Sequence, residues 1–262
     1  MKKSFVILSS VLLLGACKND CPTETKTIEK EVEEIVEVPE KIDFPSLDSI
    51  LVVANLYHVN DSAPVIVLCH QARFNKFEYN GIAKTLHENG FNCLAIDQRS
   101  GGPLIEEFNE TKLHAEMESK PTDFLDAEQD IIAAINYAAK KYNQKVILWG
   151  SSYSSTLALH IGTENENVKA IVSFSPGNYF DAEKGNMLEK IKACNKPMWL
   201  TSSKPEAEEL SKYLSEVQLK ENQMQFVPDS TGEHGSRALW KTNPHHTQYW
   251  NSLMPFLEKL KN

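Results

Sequence analysis

Between residues 42 and 262, short apolar runs rich in β-branched residues alternate with longer stretches of helical periodicity. This alternation constrains the fold more than any other feature of the chain. The strand-like runs fall at 50–58, 64–69, 92–96, 145–149, 170–174, 197–201 and 223–227, and the helical patterns at 78–89, 123–142, 153–161, 206–217 and 246–260. Strands that alternate with helices read as βαβ units, because parallel neighbours need a long crossover connection. Several of the runs are apolar throughout, as expected for strands covered on both faces. In 123–142, Leu125, Ile131, Ile132, Ile135, Ala138 and Ala139 give one apolar helical face. The expected fold is therefore α/β, a mostly parallel central sheet with helices on both faces. Ligands in such sheets bind beyond the carboxyl ends of the strands.

One such end is crowded with hydroxyls. The stretch "VILWGSSYSSTLAL", residues 146–159, runs from an apolar strand into a helical pattern through four serines. A nucleophile held on a strained strand-to-helix turn needs small residues two positions before and two after it. Ser151 is flanked by Trp149 and Tyr153, and Ser155 by Tyr153 and Leu157, which would clash. Ser154 has small flanks but lies inside the first helical turn. Ser152, between Gly150 and Ser154, satisfies the register. The alternative is a serine-rich helix cap without chemistry.

Gly150-Ser151-Ser152-Tyr153-Ser154 resembles the GxSxG elbow of the α/β-hydrolase superfamily, with Ser154 in place of the last glycine. The run "CHQARFNKFEYNGIAKTLHENGFNCLAIDQRSGG" is similar to that of small hydrolases near the dienelactone-hydrolase group, and the order of elements extends the resemblance over nearly all of residues 44–262. The resemblance implies an α/β-hydrolase fold and a triad in the order nucleophile, acid, histidine. It puts the general base at His234, on the loop after the last strand. It puts the acid after the preceding strand, where Glu206 is the first carboxylate, with Glu208, Glu209 and, one strand earlier, Asp181 as alternatives. It implies an oxyanion hole made by the backbone N–H of Tyr153 and that of Gln71 or Ala72, since Gln71 stands where many relatives carry the glycine of a His-Gly pair. His70 then packs and orients that loop, while Asp97 and Arg99 read as a buried structural network.

The amino terminus carries a different signal. "MKKSFVILSSVLLLGAC" has two lysines, a short apolar run and small residues before a cysteine, which fits a secretory signal peptide over 1–16. Leu14-Gly15-Ala16-Cys17 resembles the lipobox of bacterial lipoproteins, which implies acylation of Cys17 and a lipid anchor in the cell envelope. Lys18, where an aspartate would resemble an inner-membrane retention signal, favours the outer membrane. Residues 17–41 read as the acylated cysteine and an acidic tether. Residues 22–40 alone hold seven glutamates against two lysines, so the chain's formal charge of −9 says little about the substrate. No basic, aromatic-interleaved patch points to nucleic acid. Cys69 and Cys93 sit inside apolar runs as small hydrophobes. His245 and His246 are adjacent and would diverge, so neither metal nor cofactor is expected.

These residues lead us to expect a serine hydrolase that cleaves a carboxylic ester through an acyl-enzyme. The stretch 103–121, with Leu104, Ile105, Phe108 and Met117, reads as a small lid or pocket wall, faced by Tyr179 and Phe180; its length favours small or medium esters. A peptidase or thioesterase of the same fold, and a catalytically silent binding lipoprotein, stand as alternatives.

Overall fold

The computed structural model describes residues 39–261. Cys17, the residues read as a signal peptide and nearly all of those read as a tether lie outside the described residues. The strands are β1 Glu40–Pro45, β2 Leu51–Tyr57, β3 Val65–Cys69, β4 Asn92–Ile96, β5 Val146–Ser151, β6 Val168–Phe174, β7 Met198–Thr201 and β8 Gln223–Phe226. The helices are α1 Asn80–Glu88, α2 Glu110–Met117, α3 Ala127–Tyr142, α4 Tyr153–Glu164, α5 Asp181–Lys184, α6 Met187–Ala193, α7 Lys204–Leu214 and α8 His246–Glu258, with 3-10 turns at Lys76–Tyr79 and Gly235–Leu239.

All eight strands join one sheet in the order β1-β2-β4-β3-β5-β6-β7-β8. β2 pairs antiparallel with both β1 and β4, and every other pair is parallel. Strand residues alternate between the two faces, so each face buries its own core. Val67, Leu148, Ile171 and Leu200 pack on one face with α3, α4, α6 and α7. Ile66, Trp149, Val172, Phe174 and Trp199 pack on the other with α1 and α8. α4 is enclosed between the sheet and its neighbours, and Tyr153 to Gly162 are all buried along it.

β1 is an element the sequence pattern did not announce. It begins at Glu40, inside the end of the stretch read as tether, because "EKIDFP" is charged and short. Only Phe44 is buried, stacked on Tyr137 with ring centroids 4.7 Å apart. An edge strand with Glu, Lys and Asp along it discourages pairing with another chain. The stretch 103–121 also contains α2, whose Thr111 and Ala115 are buried; Thr111 Oγ1 accepts a hydrogen bond from the Val53 N–H at 2.9 Å. Part of that stretch is therefore framework along β2.

Two buried ion networks lock the residues after β4 to their surroundings, Asp97 to the 3-10 turn and α2, and Arg99 to α3 and the β1–β2 turn. The Asp97 carboxylate accepts from Lys76 Nζ at 2.9 Å and from the backbone N–H groups of Lys76 and Glu110, both at 2.8 Å. The Arg99 guanidinium, fully buried, reaches Asp130 and Asp48, each at 2.7 Å. Fully enclosed charges persist only when paired and hydrogen-bonded, and both networks meet that condition.

Candidate active site

β5 ends in Gly150 and Ser151, and α4 begins at Tyr153, so Ser152 must carry the whole reversal of direction. Its backbone is at φ 57°, ψ −126°, in the half of conformational space that a non-glycine residue rarely visits. Such a conformation costs about 1–3 kcal/mol and survives only where its surroundings dictate it. Here the Ser152 N–H is fixed on Phe174 O at 2.8 Å. Gly150 supplies the room: a Cβ there would sit 2.3 Å from the backbone oxygen of Ser154.

The turn presents Ser152 Oγ to His234 Nε2 at 2.7 Å. On the far side of the ring, His234 Nδ1 lies 2.6 Å from Glu206 Oε1. An ionised carboxylate only accepts, so Nδ1 carries the proton and Nε2 is left to accept from the Ser152 hydroxyl. Burial works against the Glu206 charge. The hydrogen bond and charge of His234, together with Ser203 and Ser175, outweigh it and hold the carboxyl at about 2. Glu206 therefore stays charged at neutral pH. Its other oxygen accepts from Ser175 Oγ at 3.0 Å and from the Ser203 N–H at 3.3 Å, at the start of α7 where the helix dipole favours an anion. The alternative carboxylates stand elsewhere: Glu208 and Asp181 are exposed, and Glu209 pairs with Lys212 at 2.9 Å.

Ser175 had no signal in the sequence beyond its position at the end of a strand. It sits just past β6 at φ 56°, donates to Glu206, and accepts the N–H of Gly235 at 2.9 Å. It thus ties the His234 loop to Glu206. Gly235 itself is at φ 70°, and a Cβ on it would lie 2.6 Å from Ser151 Oγ, so only glycine lets the His234 loop press against the turn. The remaining serines are occupied. Ser154 Oγ contacts the carbonyls of Cys69, His70 and Ser151 at 2.7, 2.8 and 2.9 Å, and accepts the Ser151 N–H at 3.0 Å. Ser155 Oγ donates to Ser152 O at 2.6 Å.

The backbone N–H of Tyr153, in the first turn of α4, points out of the helix beside Ser152, as the first donors of any helix do. The second expected donor needs correction. The Gln71 N–H is directed at Glu78 Oε2, 2.7 Å away, and is not available to an oxyanion. A buried carboxylate seven residues further on competes for it, which the glycine-position argument did not include. The Ala72 N–H, the other donor the sequence offered, makes no hydrogen bond among the described residues. His70 is buried between loop and sheet: Nδ1 donates to Gln71 O at 2.8 Å and Nε2 accepts the Gln98 N–H at 2.9 Å. Burial lowers its basicity, so the ring orients the loop as a neutral group.

The Tyr153 ring, hydrogen-bonded through its hydroxyl to Ser100 at 2.6 Å, packs against Phe124 and Phe180 and forms an aromatic wall beside the turn. Tyr179 next to it remains half-exposed. A separate apolar cavity of about 450 Å³ lies between α1 and α8, lined by Phe77, Ile105, Trp240 and Trp250, and it meets the hydrogen-bond network of the site only at Glu78. Among the described residues, no group of three or more His, Cys, Asp or Glu could hold a metal ion. None of their helices is long and apolar enough to cross a membrane.

No protein-family model matches the sequence, and no curated protein matches it. Solved structures do. The esterase of Pyrococcus furiosus superposes with a TM-score of 0.62 at 14% identity, over 84% of this chain and 92% of that one. The dienelactone hydrolase of Anabaena variabilis does so with 0.62 at 16%, over 84% and 98%. The acylaminoacyl peptidase of Pyrococcus horikoshii gives 0.59 at 16%, over 84% of this chain and 41% of that one. At such identities the likeness is one of fold, and the chain has the α/β-hydrolase fold.

Proposed function

We propose that this protein is a lipid-anchored serine hydrolase that cleaves small or medium carboxylic esters through an acyl-enzyme. The observation that carries the reading is the unbroken chain Ser152–His234–Glu206, at 2.7 and 2.6 Å, on a serine held in a strained turn. His234 takes the hydroxyl proton as Ser152 Oγ bonds to the ester carbonyl carbon. The oxyanion that forms is met by the N–H groups of Tyr153 and Ala72, each such donor contributing about 3–4 kcal/mol at the transition state. His234 then returns the proton to the departing alkoxide, leaving the acyl group on Ser152. Water, deprotonated by the same nitrogen, releases the acid. Glu206 keeps the imidazole in the required tautomer and stabilises its cation without taking the proton.

An ester, rather than a peptide, fits the names of two of the structural neighbours, an esterase and a dienelactone hydrolase. The likeness to an acylaminoacyl peptidase keeps amide cleavage as the second reading. The two separate in one assay: aryl esters of increasing acyl length, their thioesters, and an acylaminoacyl anilide are offered at equal concentration. The expected order has short and medium esters turned over fastest. A higher kcat/KM for the anilide or the thioester would move the protein to that class, and no turnover of any would leave a binding protein.

The anchor rests on Cys17 and the apolar run before it. More than one acyl chain is needed for stable attachment, and lipoprotein maturation provides that. Cys17→Ser is expected to shift the protein from the membrane fraction to the soluble envelope fraction. Unchanged membrane retention would contradict the anchor while leaving the chemistry untouched.

A further inference from the structure

Glu78 is 1% exposed, at the end of the 3-10 turn that follows the oxyanion loop. Its Oε2 accepts the Gln71 N–H at 2.7 Å, and its Oε1 accepts Ser151 Oγ–H at 2.8 Å and lies 3.4 Å from Gln71 Nε2. Ser151 Oγ in turn accepts the Ser236 N–H at 2.8 Å. One carboxylate thus gathers the loop beside Ala72, the residue preceding Ser152, and the residue two beyond His234. Every group aimed at it is a donor. An ionised carboxylate can accept all of them, whereas a protonated one must turn a hydrogen towards a donor or force Ser151 to rotate.

We infer that Glu78 is a positioning residue for the proposed ester hydrolysis, its charged carboxylate holding the oxyanion loop, the Ser152 turn and the His234 loop in register. This rests on the serine-hydrolase reading above. By taking the Gln71 N–H, Glu78 fixes the His70–Gln71 peptide plane, one residue before the Ala72 N–H that would meet the oxyanion. A shift of about 1 Å in such a donor is enough to cost a hundredfold in rate.

The arrangement has a cost in stability. Burial pushes the Glu78 carboxyl up to about 7, against the opposing bonds from Gln71 and Ser151 and the nearby charges of Arg237 and His234. The other titratable neighbours are the Tyr79 and Tyr153 phenols, which burial keeps neutral. A carboxyl raised from 4.5 to about 7 on folding contributes stability that is complete below pH 4.5 and lost as the pH rises through 7. The form that fits the donors is therefore the less stable one, the sign of a group retained for geometry rather than for folding.

Glu78→Gln mimics the neutral form at nearly constant volume, with Ser152→Ala as the inactive control. At pH 8 we expect kcat on a short aryl ester to fall about ten- to hundredfold with KM within about twofold. The melting temperature at pH 8 should equal or exceed that of the wild type and lose part of its decline between pH 5 and 8. Unchanged kcat, or kcat and melting temperature falling together in a folded variant, overturns the inference. Should Glu78→Gln not fold, Arg237→Gln keeps Glu78 in place and removes a charge that favours its ionised form. The acid-side midpoint of the kcat profile should then move to higher pH, and an unmoved midpoint overturns the inference. A wild type that cleaves no ester rejects the hydrolase reading instead, and the melting series still reads the Glu78 charge.

Discussion

Glu206→Ala is expected to lower kcat by about 10⁴-fold while leaving KM within a few-fold, measured by steady-state hydrolysis of a short aryl ester. Glu206 Oε1 is the group 2.6 Å from His234 Nδ1, so without it nothing fixes the tautomer that leaves Nε2 facing Ser152. The loss acts through the orientation of His234, so it falls on kcat. Glu206 also receives the Ser203 N–H at the start of α7, so a loss of about 1 kcal/mol in stability should accompany it. Asp181→Ala, by contrast, removes an exposed carboxylate from the first position of a four-residue helix and should change kcat little. A large loss in Asp181→Ala beside a near-normal Glu206→Ala would move the acid one strand earlier.

Asp130→Ala carries the largest expected effect on stability. Asp130 is fully buried, and its oxygens accept from Arg99 Nη2 at 2.7 Å, from Nε at 3.2 and 3.1 Å, and from the Arg99 N–H at 2.9 Å. Removing it leaves a buried guanidinium with Asp48 and Ser46 alone on one side. Breaking a buried pair in this way costs about 3–5 kcal/mol, more than the pair itself contributes, because the remaining charge cannot return to water. Urea unfolding should show the midpoint falling with little change in slope. A loss below about 1 kcal/mol would mean that the site relaxes enough to hydrate Arg99, and the network would not be the lock between β4 and α3 described above.

The parts of the fold legible in the sequence are those whose pattern is local. Strands such as "VIVLC" and "VILWGS" are buried at every position, and their runs "VIVLC" and "VILW" are apolar throughout because both faces are covered, while α3 carries its apolar face through Ile131, Ala134, Ile135 and Ala138. β1 was not legible, since an edge strand that must resist pairing is written in charges. The short helices α2 and α6 are set by capping, with Asn109 Oδ1 accepting the Lys112 N–H at 2.8 Å and Asn186 Oδ1 the Leu188 N–H at 2.7 Å, and the four-residue α5 leaves no periodicity to read. At the site, the small-flank rule selected Ser152 because it is a steric rule about neighbours in sequence. Choosing among Glu206, Glu208, Glu209 and Asp181 depends on which carboxylate the start of α7 aims at His234, a fact of tertiary position. The Gln71 error has the same origin. Its N–H faces inward to Glu78, a residue whose place in the sequence, after "FNKF" and before a helix, reads as an ordinary acidic first turn.

The most direct measurement of the central claim is labelling of the folded domain, residues 39–262, with a fluorophosphonate, followed by mass mapping of the modified peptide. Such probes report a serine activated by its neighbours rather than a serine as such. The account predicts one adduct, on Ser152, absent from Ser152→Ala and strongly slowed in Glu206→Ala. No adduct on a folded wild type, or an adduct that persists when Ser152 is replaced, would contradict it.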